Sequence, residues 1–325
     1  MKKIVLKRLL ISLVFVAIFI ACYAYLCLIL MPKDMDDLGG EKYYSTLSYK
    51  TEKDNTLDFV LCGNSDAYSG FSPIEFYKQT GATSYICSAA KQPAKGVEKD
   101  VKYMFKHHDL KLVIIDVDCL FFKNAINEGT LAYEFANVIA PIRYHARWKE
   151  LEPKDFYTWP KLTTNPLKGY MPQGKIRNYT LPNDYMANTN AKPKALDRSV
   201  IKNVKNIARL CKENNAELMF ICLPTPHSWS NAKSNAITKL ANELGVPFVD
   251  FNLPQENFTF DFAGGFRDKG NHLNIYGATS ITDFLVDYLN RYNLPDHRND
   301  SKYQDWNDIV PYYESHIEAL KGENK

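Results

Sequence analysis

Apolar residues form one long run near the N-terminus, several short runs, and longer stretches with a spacing near 3.6. The long run extends from Leu9 to Met31 without a charged residue, and Pro32 follows it. At about 1.5 Å per residue, a helix of this length spans roughly 34 Å, more than the roughly 30 Å of a bilayer's hydrocarbon core. We therefore predict an uncleaved transmembrane anchor over residues 9–32.

Three other interpretations of this run are open. A cleaved signal peptide has a shorter apolar core and a small-residue cleavage site. A lipoprotein signal ends at a cysteine, and Phe19-Ile20-Ala21-Cys22 is a loose match, but here the apolar run continues to Met31. A buried core helix is rarely this long without a charge. The length criterion favours the anchor over all three.

Short apolar runs of strand length alternate with helical patterns along the rest of the chain. The strand candidates are Leu57–Cys62, Thr83–Cys87, Lys111–Val117, Glu217–Leu223 and Val246–Asp250. The helix candidates are a segment from the capping box Ser72-Pro73-Ile74-Glu75 to Gly81, then Val97–His107, Leu196–Asn215, Asn231–Leu244, and a helix capped by Asn274. Alternating strands and helices imply βαβ units. We predict a three-layer α/β/α sandwich with a five-stranded parallel sheet.

One stretch, residues 119–195, interrupts this alternation and is predicted to be an insertion, helical over Leu131–Trp148 and irregular elsewhere. It is either a packed surface subdomain or a lid or docking platform over the carboxyl edge of the sheet. The predicted organisation is a basic tag (1–8), the anchor (9–32), a tether (33–56), the α/β domain with its insertion (57–294) and a peripheral C-terminal helix (295–325).

Composition and charge change this picture in two respects. With 46% hydrophobic and 24% charged residues the chain has an ordinary globular composition, which excludes a largely disordered protein. The net charge is +3, and since Lys2, Lys3, Lys7 and Arg8 contribute +4, the remainder sums to −1. By the positive-inside rule the N-terminus is predicted to be cytoplasmic and the α/β domain extracytoplasmic.

Other function classes lack their sequence signals. The sequence has no glycine-rich phosphate loop and no basic aromatic patch, which disfavours nucleotide and nucleic-acid partners. No Cys/His spacing suits structural zinc, so neither a metal nor a cofactor is predicted. Five of the seven cysteines lie outside the anchor. Because five is odd and export permits disulfides, the pairing of these cysteines is left open.

A serine directly after the first predicted strand is the first candidate for chemistry. The segment Leu61–Tyr68 contains Gly63-Asn64-Ser65-Asp66, with the glycine permitting a tight turn. A serine at the carboxyl edge of a parallel sheet, at the start of a helix, is well placed as a nucleophile. The competing interpretation is that Asn64, Ser65 and Asp66 make only turn and capping bonds.

A second candidate lies after the last strand, where Asp268 and His272 occur on one short loop before the helix capped by Asn274. A serine nucleophile needs a base, and the base needs an acceptor that fixes its tautomer. Alone, an Asp/His loop is more often a structural cap. In the order Ser, Asp, His on an α/β sheet it predicts a catalytic triad.

Together these two blocks resemble the SGNH/GDSL hydrolase superfamily, over about residues 55–290. The anchor and the insertion resemble its extracytoplasmic, DltD-like branch and related polysaccharide O-acetylation proteins. The resemblance implies that Ser65 is the nucleophile, His272 the general base and Asp268 its orienting carboxylate. It also implies an envelope polysaccharide or teichoic acid acceptor, D-alanyl or acetyl groups, and a membrane acyltransferase of the MBOAT type as partner.

Two departures from the family pattern matter. Three residues separate Asp268 from His272, where the family has two, so Asp261 is a second candidate for the third triad member. The Gly-x-Asn-Asp block is missing, because the third strand ends in Ile115–Cys119. The oxyanion donors would then be the Ser65 amide and a group from Ser88–Gln92. The oxyanion and substrate candidates are Gln92, Ser88 and Asn64.

The sequence therefore predicts a membrane-anchored, extracytoplasmic serine O-acyltransferase or esterase. The alternative is a non-catalytic accessory protein that uses the same scaffold to bind an acyl carrier, a glycan or a membrane partner. The missing Asn and the longer Asp–His spacing favour that alternative. His227, after the fourth strand, either lines the substrate cleft or belongs to a plain proline-rich turn.

Overall fold

The structure, a computed structural model, describes residues 2–34, 47–122, 141 and 144–322. It divides into two compact units. One contains Met1–Tyr44 and Leu131–Thr163, and the other contains Ser45–Thr130 and Thr164–Lys325. The predicted helix Leu131–Trp148 falls mostly outside the described residues.

The larger unit is built on a five-stranded parallel sheet with helices on both faces, as the sequence predicted. The strands are β1 (Phe59–Gly63), β2 (Ser84–Ser88), β3 (Leu112–Asp116), β4 (Glu217–Cys222) and β5 (Phe248–Asp250). Their order is β2-β1-β3-β4-β5, and every neighbouring pair is parallel. Nearly all strand residues are buried, because helices cover the two faces of the sheet.

The helices of this unit begin and end where local sequence dictates. They are α2 (Ser65–Gly70), α3 (Pro73–Thr80), α4 (Ala94–His107), α5 (Arg198–Glu213), α6 (Asn231–Leu244), α7 (Ile275–Leu289) and α8 (Gln304–Gly322). The Ser72 hydroxyl caps α3, Pro73 occupies its first turn, and Gly81 ends it in a left-handed conformation, as predicted. The predicted Asn274 cap of α7 is also present.

The N-terminal helix belongs to the other unit. α1 covers Lys2–Leu30, and it is long and apolar enough to cross a membrane, with a mean hydropathy of 2.8 over its most apolar window. Its apolar side chains from Ile4 to Leu26 are mostly exposed. Two short 3-10 helices, His145–Lys149 and Pro153–Phe156, accompany it in this unit.

Three segments distant in sequence meet around one buried lysine of the larger unit. Lys168 Nζ donates to both carboxylate oxygens of Glu52, at 3.1 and 2.9 Å, and lies 4.6 Å from the centre of the Trp306 ring. Residues 48–56, within the predicted tether, therefore include a folded part, and Tyr49 is in the core. Trp306 is also fully buried, so the C-terminal helix α8 contributes to the same core.

All seven cysteines are free thiols. Cys62, Cys87, Cys119, Cys211 and Cys222 are buried in the larger unit, where they pack as small apolar side chains. Cys62 and Cys87 are register partners on β1 and β2.

Candidate active site

The candidate residues collect where the sheet changes winding direction. From β1 the chain moves to β2 on one side, and β3 lies on the other. In open α/β sheets, the crevice at the carboxyl ends of the strands flanking such a switch point is where ligands bind. The segments after β1 and after β3 carry Ser65, Asp66 and Asp118 to this position, next to Asp116 at the end of β3.

The turn after β1 is tightly packed. A Cβ on Gly63 would lie 3.0 Å from both the Ala67 and Asp116 Cβ atoms, so glycine lets β1 and β3 approach closely here. Asn64 Oδ1 accepts a hydrogen bond from the Asp66 amide at 2.9 Å and caps α2. Ser65 is the first residue of α2 and is half-buried.

The loop that carries Asp268 and His272 is shaped by two consecutive left-handed residues. Lys269 has φ 64° and Gly270 has φ 91°. A Cβ on Gly270 would come within 2.9 Å of the Tyr179 ring, so this position combines a left-handed backbone with a close contact. Phe266 and Leu273 close the loop through an antiparallel bridge.

Within this loop Asp268 and His272 are bonded to each other. Asp268 Oδ2 lies 2.5 Å from His272 Nδ1, and Asp268 Oδ1 accepts from the His272 amide at 2.6 Å. Partial burial raises the pKa of Asp268, but the hydrogen bonds from His272 outweigh it and hold the pKa below its usual value. An ionised carboxylate at this distance needs a donor, so Nδ1 carries the proton and Nε2 is left as the basic nitrogen.

The other ring nitrogen of His272 faces the turn after β1. Its Nε2 lies 4.0 Å from Asp66 Oδ1, and the imidazole is 18% exposed. Ser65 Oγ forms no hydrogen bond with His272 or with any other residue in the described ranges. The structure thus brings together His272, Asp268 and the Ser65-Asp66 turn, without the hydrogen bond between the serine and the histidine.

Buried carboxyl groups surround this turn. Burial, and then the charges of Asp116 and Asp118, raise the pKa of Asp66 well above its usual range. Burial and Asp118 likewise raise the pKa of Asp116 to about 8. The buried Asp66 carboxyl therefore favours its neutral form more strongly than an exposed carboxyl does.

Asp118 differs from Asp66 and Asp116 because a lysine ammonium group bonds its carboxylate. Asp118 Oδ1 accepts from Lys233 Nζ at 2.8 Å, and Oδ2 accepts from Asn64 Nδ2 at 3.4 Å. Lys233 also lies over the Phe121 ring at 4.9 Å. Lys233 was not predictable as part of the site, because it lies on α6, far along the chain from β3. The contact of Asp66 with His272 was not predictable either, because only the folded chain forms it.

The oxyanion candidates differ in the hydrogen bonds that their side chains already make. Gln92 is fully buried and its Nε2 donates to Asp100 Oδ2 at 2.7 Å, so this N–H is directed at a carboxylate rather than offered at the sheet edge. Burial raises the pKa of Asp100 to about 6, although the hydrogen bonds from Gln92 and Tyr49 lower it in part. The buried Ser88 hydroxyl at the end of β2 has no partner among the described residues. Ser88 is therefore the candidate with an uncommitted donor.

The remaining candidates lie around the His272 loop. Asp261 Oδ1 accepts from the amides of Ala263 and Gly264, at 2.9 and 3.0 Å, so it stabilises a turn, and Asp268 is the carboxylate in contact with His272. The backbone amide of His227 donates to the Gly270 carbonyl at 3.1 Å, which places residue 227 beside the loop. The His227 residue is exposed.

Comparison with known proteins finds similar structures but no matching sequence family. No family model matches the sequence, and no curated protein matches it significantly. Similar solved structures include a GDSL-like lipase from Bacteroides thetaiotaomicron, with 11% identity, 77% of this chain and 97% of that chain covered, and a TM-score of 0.38.

Two esterases have comparable values. Esterase EstA from Pseudoalteromonas sp. is 9% identical over 73% of this chain and 98% of its own, with a TM-score of 0.37. The family 3 carbohydrate esterase of Clostridium thermocellum is 11% identical over 74% and 100%, with a TM-score of 0.36. Because these TM-scores lie below 0.5, we base the functional proposal on the side-chain geometry.

Proposed function

We propose that this chain is a serine esterase or O-acyltransferase, anchored in the membrane by α1, that acts outside the cytoplasm on a cell-envelope polymer. The observation that carries the proposal is the bonded Asp268–His272 pair, whose Nε2 faces the turn that presents Ser65. A carboxylate, an imidazole with its second nitrogen free, and a serine at the carboxyl edge of β1 are the parts of a nucleophilic acyl-transfer site.

In the proposed reaction Ser65 Oγ attacks the carbonyl carbon of an acyl donor while His272 Nε2 takes the hydroxyl proton. The tetrahedral intermediate collapses as His272 returns that proton to the leaving group, and an acyl-serine forms. A hydroxyl of the acceptor, or water, then attacks the acyl-serine while His272 Nε2 takes its proton. The bond between the acyl carbon and Ser65 Oγ breaks as His272 returns this proton to Oγ, which releases the product and restores the free serine. Asp268 keeps the imidazole in the Nδ1–H tautomer and stabilises the imidazolium.

The acceptor and the partner follow from the family resemblance and the anchor. A teichoic acid or another envelope polysaccharide is the proposed acceptor, with D-alanyl or acetyl as the acyl group. A membrane acyltransferase of the MBOAT type is the proposed source of that group. Anchoring in the same bilayer raises the effective concentration of donor and enzyme for each other.

A serine-reactive fluorophosphonate probe tests the nucleophile directly on the full-length protein in detergent. We expect wild type to be labelled, Ser65→Ala to be unlabelled, and His272→Ala to be labelled at least about 10³-fold more slowly. Ser69→Ala is the matched control, since Ser69 lies on the same helix and its hydroxyl donates to the Ser65 carbonyl at 2.7 Å. Labelling of folded Ser65→Ala at the wild-type rate would refute the assignment.

A second assay separates transfer from hydrolysis. The enzyme is given p-nitrophenyl acetate with and without a soluble envelope polysaccharide, and acetate and acetylated polymer are both measured. Transfer predicts polymer acetylation that Ser65→Ala abolishes. Release of acetate alone, at a rate the polymer does not change, would restrict the proposal to an esterase.

Two observations favour a second function, that of a non-catalytic accessory protein which binds an acyl carrier, a glycan or a membrane partner. Ser65 Oγ is not hydrogen-bonded to His272, and the Gln92 amide is engaged by Asp100. If this is the function, correctly folded wild type stays unlabelled by the fluorophosphonate while still binding the polysaccharide in a sedimentation assay.

A further inference from the structure

The unit that contains α1 exposes four aromatic side chains within a short stretch. Trp148, Phe156, Tyr157 and Trp159, which we call the aromatic collar, are 64%, 46%, 74% and 57% exposed. The two other tryptophans of the chain, Trp229 and Trp306, are 4% and 1% exposed. Large aromatic groups that are exposed within one short segment indicate an interaction surface.

A buried ionic network fixes the collar segment to the C-terminal end of α1. Arg147 Nη1 donates to the Met31 carbonyl at 2.6 Å, and its Nη2 donates to Asp155 Oδ1 at 2.9 Å. Lys33 donates to the Leu28 carbonyl and lies 4.0 Å from the same Asp155 oxygen. Arg147 and Asp155 are almost completely buried. Arg147 Nη1 also donates to the Ile29 carbonyl at 3.4 Å, so Arg147 and Lys33 bond carbonyls of the last helical turn, which the helix end leaves without partners.

This attachment sets the depth of the collar relative to α1. If the hydrocarbon layer begins after Arg8, about 20 residues at about 1.5 Å each fill its roughly 30 Å and end near Leu28. Lys33 bonds the carbonyl of that residue, and Arg147 bonds that of Met31. The collar is therefore tied to the level at which α1 leaves the hydrocarbon and enters the headgroup layer.

The residue types suit that level. Tryptophan and tyrosine combine an apolar ring with a polar group, and they are enriched where membranes meet water. Exposed Lys149 lies 5.8 Å from the Trp148 ring centre, where its ammonium group would meet lipid phosphates.

We propose that the aromatic collar lies in the lipid headgroup layer at the C-terminal end of α1 and binds the membrane surface there. The proposal rests on α1 spanning the membrane, which is part of the proposed function. The buried network thus holds the collar segment at the level where α1 leaves the bilayer.

Tryptophan fluorescence of the full-length protein in phosphatidylcholine/phosphatidylglycerol vesicles tests this proposal. The signal lost in the Trp148→Phe/Trp159→Phe variant isolates the collar, because buried Trp229 and Trp306 are common to both proteins. We expect lipid brominated at carbons 6–7 to quench the collar signal at least about twofold more than lipid brominated at carbons 11–12, with little quenching by aqueous iodide. Trp229→Phe is the matched control, and the signal lost in it should respond to none of the three quenchers.

Carbonate extraction of the same vesicles separates the collar from the anchor. Release of wild type would overturn both the span and the collar. Retention of wild type, with a collar signal that iodide quenches and brominated lipids do not, would overturn the collar alone. That second result would instead assign the collar to a protein partner absent from the vesicles.

Discussion

At the scale of single residues, Asp116 links the candidate site to the stability of the fold. It is fully buried, its Oδ1 accepts from the Leu223 amide at 3.2 Å, and its Oδ2 has no partner in the described part of the chain. Asp66 and Asp118 lie nearby, and Lys233 is engaged by Asp118. The ionised form of Asp116 is therefore poorly stabilised.

We expect the protein to lose stability between about pH 4 and the pKa of about 8 that Asp116 has in the fold. In that range the unfolded chain has released a proton that the folded Asp116 keeps, so rising pH favours unfolding. Asp116→Asn removes the part of this dependence that comes from Asp116. The free energy of unfolding of Asp116→Asn minus that of wild type should rise by up to about 1.4 kcal/mol for each pH unit. Urea unfolding of both proteins at pH 5, 6, 7 and 8 measures this difference.

Asp118→Asn is the control for that series, because Asp118 has the Lys233 ammonium as partner. It should destabilise the protein at pH 7, since it removes a charge-assisted hydrogen bond. A difference between wild type and Asp116→Asn that stays constant from pH 5 to pH 8 would contradict the assigned titration.

At the scale of secondary structure, Asn274 connects α7 to the loop that presents the candidate base. Its Oδ1 accepts from the amides of Tyr276 and Gly277, both at 3.0 Å, and its Nδ2 donates to the carbonyls of Gly264 and Phe266. The side chain is completely buried. One residue thus caps a helix and fixes the two ends of a functional loop.

We expect Asn274→Ala to lower the free energy of unfolding by about 2–4 kcal/mol, because it removes a cap and both hydrogen bonds from the side-chain amide. The Phe266 carbonyl keeps the Arg177 amide as a donor, whereas the Gly264 carbonyl loses its bond to Asn274. Fluorophosphonate labelling of Ser65 should slow as well, since His272 loses its fixed position. Asp197→Ala is the matched control: Asp197 caps α5 by accepting from the Ser199 amide in an exposed position, and its loss should cost about 1 kcal/mol without slowing labelling. Equal effects of the two variants on labelling would contradict the role given to Asn274.

The helices and strands were predictable from the sequence where neighbouring residues alone determine them. Ser72, Pro73 and Gly81 specify α3 by themselves, and the apolar runs specify five buried strands within a few residues. In the site, the pairing of Asp268 with His272 was predictable from their proximity in sequence. The Lys233–Asp118 pair was not, because it depends on how α6 packs beside the end of β3. Nor was the bond from Gln92 to Asp100, which depends on the first turns of α4.

At the scale of the whole molecule, a buried ion pair joins segments that the sequence does not connect. Lys168 belongs to the insertion, Glu52 lies before the first strand, and Trp306 is in the C-terminal helix. The side chains of Lys168 and Glu52 are 2% and 3% exposed. Burial raises the pKa of Glu52, and the Lys168 ammonium opposes that rise. The pair therefore holds three peripheral segments on one core.

We expect Lys168→Met to lower the free energy of unfolding by about 3–5 kcal/mol, because it leaves the buried Glu52 carboxylate without its partner. The double variant Glu52→Gln/Lys168→Met should recover part of that loss. Lys53→Met, which removes an exposed lysine 3.5 Å from Asp305, should change the value by less than about 0.5 kcal/mol. Urea unfolding of the four proteins measures these differences, and a Lys168→Met variant as stable as Lys53→Met would contradict the role of the pair.

The free thiols of the core allow local opening of the larger unit to be timed without any substitution. Five cysteines are buried, and they are distributed over β1, β2, the turn after β3, α5 and β4. A thiol in this environment reacts with a maleimide only when its element opens, so its labelling rate, read by peptide mass spectrometry, gives the opening free energy of that element. One native sample would thus show whether the sheet and α5 open together or in steps. It would also show whether ligand binding at the carboxyl edge slows the opening of β1, which carries Cys62.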